Sequence, residues 1–295
     1  MITIKNCPSC KSEKISSYLQ CIDDTVSRET FTISKCANCS FLFTNNIPKP
    51  EELARYYQSE EYISHSNSKK GLFNKLYQII RSITLRRKVS QLGKETGSLL
   101  EFGSGTGELL AACQQKGWEC VGIEPEKKGR AQARQNHKLE LLETEEDVNF
   151  SKNSIDRIML WHVLEHMPNL QETIGKFKHW LKKDGKLLVA VPNHKSWDAK
   201  YYQEHWAAYD VPRHLYHFDK DSIKDLLNQH DLEIAKTKPM WFDAFYVAIL
   251  SEKIKTGRKK ILKGAAVGLI SNLNALLKNK EFSSQLFIIE HKNAK

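Results

Sequence analysis

The chain has 295 residues, 40% apolar and 27% charged, with lysine plus arginine exceeding the acids 45 to 35 for a formal net charge of +10. These are the proportions of a globular protein with room for a core domain of about 200 residues and an appendage, and no apolar run approaches the ~18 residues of a membrane span. The start, MITIKNCPSC, lacks the basic, apolar and small-residue regions of a secretory signal, which predicts a cytoplasmic protein.

From the N-terminus, Cys7-x2-Cys10 and Cys36-x2-Cys39 stand 25 residues apart, the double-knuckle spacing of a tetrahedral zinc site. Disulfides and free thiols are the other readings. A cytoplasmic chain disfavours the first and the paired spacing disfavours the second. Four thiolates leave a metal no open position for water, so zinc here is expected to hold a small domain together. Residues Ser17 to Lys35 alternate well enough to form a hairpin between the knuckles. Cys21, Cys113 and Cys120 lack partners at ligand spacing and are predicted core thiols.

Helical spacing follows over Glu51 to Tyr62 and Leu72 to Gly93, the second with Leu72, Leu76, Ile79, Ile80 and Ile83 on one face and Arg81, Arg86, Arg87 and Lys88 around the rest. Both helices are expected to form a lid. From Ser98 the chain alternates apolar strands with helices, which predicts a parallel sheet with crossovers. Strands are expected at 98–102, 119–124, 139–143, 155–161, 185–191, 232–241 and 285–290. The last two are separated by a basic amphipathic insert, 242–282, read either as a cap over the substrate or, through 253–280, as a membrane-surface contact. Much of the positive excess lies in Lys69 to Lys94 and Lys253 to Lys263, as solvated helix faces or as a site for an acidic partner such as RNA.

The stretch LLEFGSGTGELL, Leu99 to Leu110, carries the strongest signal. An apolar strand runs into Gly103, Gly105 and Gly107, whose missing side chains allow positive φ and close approach of a nucleoside ligand. A dinucleotide fingerprint has two residues between its second and third glycines, whereas only Thr106 stands here. Glu101 would repel a pyrophosphate and attract the ammonium of S-adenosylmethionine. Glu124 lies 21 positions after Gly103, where a carboxylate accepts both ribose hydroxyls.

With these residues the chain resembles the class I S-adenosylmethionine-dependent methyltransferases: EFGSGTG as first motif, Glu124 as ribose acid, and SIDRIMLWHVLEHMP (154–168) as a fourth strand opening into a Leu-Glu-His turn. The N-terminal segment is similar to the zinc-knuckle leader before some methyltransferases of sugar and polysaccharide pathways. Related deoxysugar C-methyltransferases add a C-terminal domain that this length does not hold. The resemblance implies an α/β, Rossmann-like seven-stranded sheet, with a zinc-ribbon module at 1–48, a helical linker or lid at 49–96 and a methyltransferase domain at 97–295.

Methyl transfer from a sulfonium is an in-line displacement that requires alignment of the acceptor and removal of its proton. Enzymes acting on nucleobase amines place an Asn/Asp-Pro-Pro-aromatic segment after the fourth strand. Here Trp161-His162-Val163-Leu164-Glu165-His166 occupies that position, which favours an oxygen or acidic carbon as acceptor. Trp161 and His162 are assigned to the cofactor, His166 to the base and Glu165 to orienting it; the competing reading has Glu165 capping a helix and His166 packing. In Asp210 to Phe218, Arg213 is a candidate for binding a substrate anion and His214 for a second base, against simple pairing with a neighbouring loop. Trp206 and Tyr209, with Trp197, Tyr201 and Tyr202, form an aromatic wall for a sugar or belong to the core. Glu145 or Asp147 is expected at the adenine.

The expected function is methyl transfer to an oxygen or carbon of a small molecule, a saccharide or surface-glycan precursor. An RNA methyltransferase with a zinc module is the alternative within the same chemistry. A non-catalytic zinc adaptor on a degenerate scaffold is the alternative outside it, and the intact Glu101, glycine triplet and Glu124 argue against decay. Acceptor identity and oligomeric state stay open.

Overall fold

The computed structural model of the protein describes residues 1–57, 72–148 and 150–292. Strands β1 (Ile15–Ile22) and β2 (Thr30–Cys36) pair antiparallel, with Ile15 opposite Cys36 and a register shift between Ser17 and Leu19. The Asp23 carboxylate closes their turn by accepting the N–H groups of Thr25, Val26 and Ser27. Strand β3 (Leu42–Asn45) adds to β2, and the two-residue β8 (Tyr216–His217) adds to β3, giving a four-stranded sheet in the order β1-β2-β3-β8. Leu42 stands opposite His217, so a loop late in the chain is stitched to the N-terminal hairpin.

A second sheet has the order β5-β4-β6-β7-β10-β9. Its strands are β4 (Ser98–Phe102), β5 (Glu119–Ile123), β6 (Ile155–Trp161), β7 (Leu181–Pro192), β9 (Leu232–Pro239) and β10 (Ser284–His291). The pairings β4·β5 and β4·β6 are parallel, with Glu101 abreast of Gly122 and Met159. Leu99, Leu100, Ile158, Met159 and Leu160 are fully or almost fully buried, because a central parallel strand is covered on both faces. The expected strand over 139–143 is reduced to a parallel bridge between Ile123 and Leu142, so six strands form where seven were expected among the described residues. Lys138 ends the preceding helix in a left-handed cap and Thr144 caps the next turn, which leaves too little chain for a ladder.

The helices are α1 (Pro50–Leu53), continued as a 3-10 turn to Tyr57, α2 (Leu72–Ser90), α3 (Glu108–Gln114), α4 (Lys127–His137), α5 (Leu170–Trp180), α6 (Trp197–Tyr202), α7 (Lys220–Asn228), α8 (Asp243–Thr256) and α9 (Ile261–Asn274). The helix expected over Glu51 to Tyr62 is therefore a short α turn and a 3-10 turn as far as Tyr57, and its remainder lies outside the described residues. The apolar face expected on α2 falls largely on side chains that also lie outside them, and Ile83, at its end, is 38% exposed. None of the described helices is long and apolar enough to cross a membrane.

The chain divides into two compact units: Met1–Ser64 with His162–Gly175 and Val189–Ile288, and His65–Trp161 with Lys176–Leu188 and Ile289–Lys295. In the first, Phe31, Ile33, Leu42 and Tyr56 pack with Tyr202, Trp206, Tyr209 and Val211 in one apolar cluster. Each large apolar side chain so buried is worth roughly 1.5–3 kcal/mol relative to exposure.

Candidate active site

The second unit holds the glycine turn. Gly103, Gly105 and Gly107 have φ of 68°, 53° and 78°, the left-handed region that a side chain would strain. A Cβ on Gly107 would come within 2.8 Å of Leu139, while one on Gly105 would meet nothing within 4 Å, so the middle glycine borders open space. Glu124, directly after β5, accepts from the Gly105 N–H at 2.7 Å through Oε2 and from the Glu126 N–H at 2.9 Å through Oε1. Each carboxylate oxygen retains a further lone pair.

Glu101, on β4, is 4% exposed and its Oε2 has no hydrogen-bond partner among the described residues. Burial pushes its carboxyl up to about 7, against the opposing influence of the Lys88 charge. A buried acid with an orphaned oxygen suits a ligand that brings a positive charge, and the ammonium of S-adenosylmethionine is such a group. Trp161 ends β6 with its buried indole N–H unpartnered among the described residues, and Lys88 Nζ lies 4.6 Å from the centroid of its ring. Lys88 was not among the residues singled out from sequence; nothing in its spacing sets it apart from the other cations of α2. Arg81 of α2 pairs with Glu108, the first residue of α3. Glu145 lies in a 3-10 turn and pairs with Lys176 at 3.4 Å, while Asp147 accepts the N–H groups of Glu143 and Thr144.

In the first unit, His162 takes a positive φ and its N–H bonds to the Ala190 carbonyl at 2.9 Å. Its Nε2 lies 2.9 Å from Asp243 Oδ2 and its Nδ1 3.4 Å from Glu165 Oε1. Burial opposes a charge on this ring, but the two carboxylates outweigh it and hold the pKa up at about 10, so His162 is an imidazolium. Glu165 is fully buried, and among the described residues neither oxygen has a partner in hydrogen-bond geometry. Burial raises its pKa, but the neighbouring histidines bring it down overall and keep it ionised.

His166 Nδ1 lies 3.0 Å from the Arg213 carbonyl oxygen, which can only accept, so Nδ1 carries the proton and Nε2 the lone pair. Burial, then the neighbouring His214, push its pKa down to about 4, which leaves the ring neutral. The bond that fixes its tautomer thus comes from a backbone carbonyl, whereas Glu165 was expected to supply it. His214 packs edge-on against His166 with centroids 4.5 Å apart, and its Nδ1 meets the Ala208 carbonyl at 2.9 Å. Donor atoms of Glu165, His166 and His214 all lie within 4.8 Å of one another, so the structure gathers the three expected catalytic residues.

The three residues expected to touch substrate have a different environment. Arg213 is 1% exposed, with Nε on Asp210 at 2.9 Å, Nη2 on Asp23 at 2.9 Å and Nη1 on the Tyr56 carbonyl at 2.9 Å. Its charge is used inside the protein, as the alternative of loop pairing anticipated. Trp206, 2% exposed, donates its indole N–H to Asp198 at 2.8 Å, and Tyr209, 4% exposed, packs edge-on against it. Trp206, with its indole N–H satisfied, and Tyr209 packed against it stand here as a sheltered aromatic pair, which is the core arrangement given above as the alternative to a substrate wall.

At the N-terminus Cys7, Cys10, Cys36 and Cys39 bring their sulfurs within 4.8 Å of one another without a disulfide. Cys7 to Cys39 and Cys10 to Cys36 are each 3.6 Å, near the ~3.8 Å edge of a tetrahedron with Zn–S bonds of ~2.3 Å. The donor set and its spacing fit a structural zinc ion.

Residues 77–237 match a family model described as a methyltransferase domain. Uncharacterized methyltransferases of Bacillus mycoides (strain KBAB4) and Bacillus cereus (strain 03BB102) are each 34% identical over 103 residues, covering 34% of this chain and 49% of the relative. The chain spans about half the length of the curated relatives it matches. Among solved structures, similarity extends to a protein in complex with the Haloferax volcanii Trm112 methyltransferase activator, with TM-score 0.52 and 14% identity over 70% of this chain and 88% of that one. A mycolic acid cyclopropane synthase complexed with S-adenosylhomocysteine and CTAB aligns with TM-score 0.50 and 13% identity, over 72% and 84%. At such identities the likeness is one of fold.

Proposed function

We propose that this chain, which belongs to the methyltransferase-domain family, transfers the methyl group of S-adenosylmethionine to an oxygen or carbon of a small molecule, a saccharide or surface-glycan precursor. The observation that carries the reading is Glu101, a buried carboxylate with an unpartnered oxygen on the strand that leads into three left-handed glycines. When bound, the cofactor supplies a methyl group on a sulfonium. Glu101 holds its ammonium, Gly105 makes room for its backbone approach and Glu124 accepts its ribose hydroxyls. Trp161 and Glu145 are assigned to the same ligand.

His166 is assigned the acceptor's proton, taken at Nε2, because burial keeps the ring neutral and the Arg213 carbonyl fixes the other nitrogen as donor. Glu165 offsets the positive charge that His166 then gains, with the His162–Asp243 pair holding Glu165 in its ionised form. His214 is the second candidate base. The four cysteines are assigned a structural zinc.

A histidine base with no Asn/Asp-Pro-Pro segment supports a hydroxyl or acidic carbon over a nucleobase amine, and the cysteine leader supports a saccharide. The test is transfer of labelled methyl to nucleotide sugars, oligosaccharides and RNA by the wild type and His166→Ala. Incorporation into a saccharide, lowered about 10²–10⁴-fold by the substitution with S-adenosylhomocysteine binding retained, is expected. Salt-sensitive incorporation into RNA would transfer the reading to the alternative.

A further inference from the structure

Helix α9, with the π-helical turn Ala275–Asn279 that continues it, is built inside out. Its buried positions are small or polar: Gly264, Gly268, Ser271, Asn272 and Ala275, with Val267 as the largest apolar residue. Its large aliphatic residues face outward, with Leu262 89%, Leu277 78%, Leu269 51%, Leu276 48%, Leu273 47% and Ile270 46% exposed. A helix that packs on an aqueous protein's core shows the opposite arrangement.

The inward face is complete as it stands. A Cβ on Gly264 would fall 2.6 Å from Ile249 Cα, and one on Gly268 would fall 2.8 Å from the Ala244 carbonyl oxygen, so both glycines permit the close approach of α9 to α8. Ser271 Oγ bonds Asp198 at 2.6 Å, and Asn272 Nδ2 donates to the Trp241 carbonyl at 2.9 Å. Small residues four apart that bring two helices together, with aliphatic chains turned away, are the packing style of helices in an apolar medium.

The surrounding charge says which apolar medium. Between Glu252 and Glu281 the sequence has eight basic residues and no acid. Arg258, Lys259 and Lys260 are exposed before the helix begins, and Lys278 and Lys280 are exposed where it ends. Lys263 is paired with the buried Glu252 at 2.9 Å, and Lys255 Nζ lies 5.3 Å from the centroid of the Tyr201 ring. A second copy of the chain would set these cations against their equivalents, a like-charge contact that costs affinity. Anionic headgroups neutralise them while the acyl boundary takes the leucines. We infer that α9 docks flat on an anionic lipid bilayer, with Leu262, Leu269, Ile270, Leu273, Leu276 and Leu277 inserted and the flanking lysines at the headgroups.

The inference is independent of which acceptor is methylated. Sedimentation of the full-length protein with vesicles of phosphatidylglycerol and phosphatidylcholine, and with phosphatidylcholine alone, tests it. Binding to the anionic vesicles, weakened by 0.5 M salt and absent from the neutral ones, is expected. Leu262→Gln with Leu277→Gln should lower vesicle partitioning by about tenfold or more, since each exposed leucine contributes about that factor when it leaves water. Lys259→Glu with Lys260→Glu should lower it with the apolar face intact, and both variants should melt like the wild type. No binding to anionic vesicles, binding unchanged in the leucine variant, or a wild-type dimer that the leucine variant converts to a monomer would each overturn the inference.

Discussion

The backbone N–H of Gly105 donates to Glu124 Oε2 at 2.7 Å, so the acid that follows β5 also pins the middle glycine of the turn after β4. Shape and charge in the cofactor cradle are therefore coupled. Glu124→Ala removes the proposed ribose acceptor and frees the turn together. S-adenosylhomocysteine affinity measured by calorimetry should fall by about 10–100-fold, the worth of one or two hydrogen bonds to a charged group.

The ammonium-binding role proposed for Glu101 implies a pH dependence. Burial lifts its carboxyl to about 7 in the ligand-free protein, and a ligand ammonium is attracted to the ionised form. Above that pH the ligand binds without proton exchange, and below it each binding event must first release a proton from Glu101. Affinity for S-adenosylhomocysteine should therefore be level above about pH 7 and fall by about tenfold per unit below it. In Glu101→Gln the profile should be flat and weak throughout; an unchanged slope would assign the titration to another group.

Arg213 and Asp23, 190 positions apart in sequence, meet at 2.9 Å with both side chains almost fully buried. Arg213→Ala leaves the buried Asp23 and the partly buried Asp210 without their cation. The expected cost is about 3–5 kcal/mol of stability, read by denaturant unfolding. A substrate-anchoring arginine would instead raise KM with the melting point unchanged.

The cysteine cluster predicts one zinc ion per chain by elemental analysis. Because Cys36 ends β2 and is fully buried, Cys36→Ser or a strong chelator should release the metal and open the N-terminal sheet to proteolysis. A metal-free protein with the same protease resistance would contradict a structural role.

Much of the architecture was readable because it is local. β4 and β6 occupy the expected residues, and β5, β7, β9 and β10 lie within a few residues of theirs, since continuous apolar runs bounded by turn residues mark buried strands. The hairpin between the cysteine pairs was legible from alternation. What escaped depends on partners far away in sequence. Nothing near His162 in sequence shows that Asp243, 81 positions on, holds that ring as an imidazolium. Arg213 looked available until Asp23 reached it. The 139–143 segment is apolar enough for a strand, but caps on either side limit it to one bridge. In 253–280 the amphipathic pattern was visible, but sequence alone left open which face packs inward. The two glycines against α8 decide it.

The central claim is that Glu101, the glycine turn and Glu124 hold a ligand with a cationic amino-acid tail. Isothermal calorimetry with S-adenosylhomocysteine and, separately, with a nicotinamide dinucleotide tests it most directly. Saturable one-to-one heat with the first and none with the second is the predicted result, and saturation by the dinucleotide alone would contradict it.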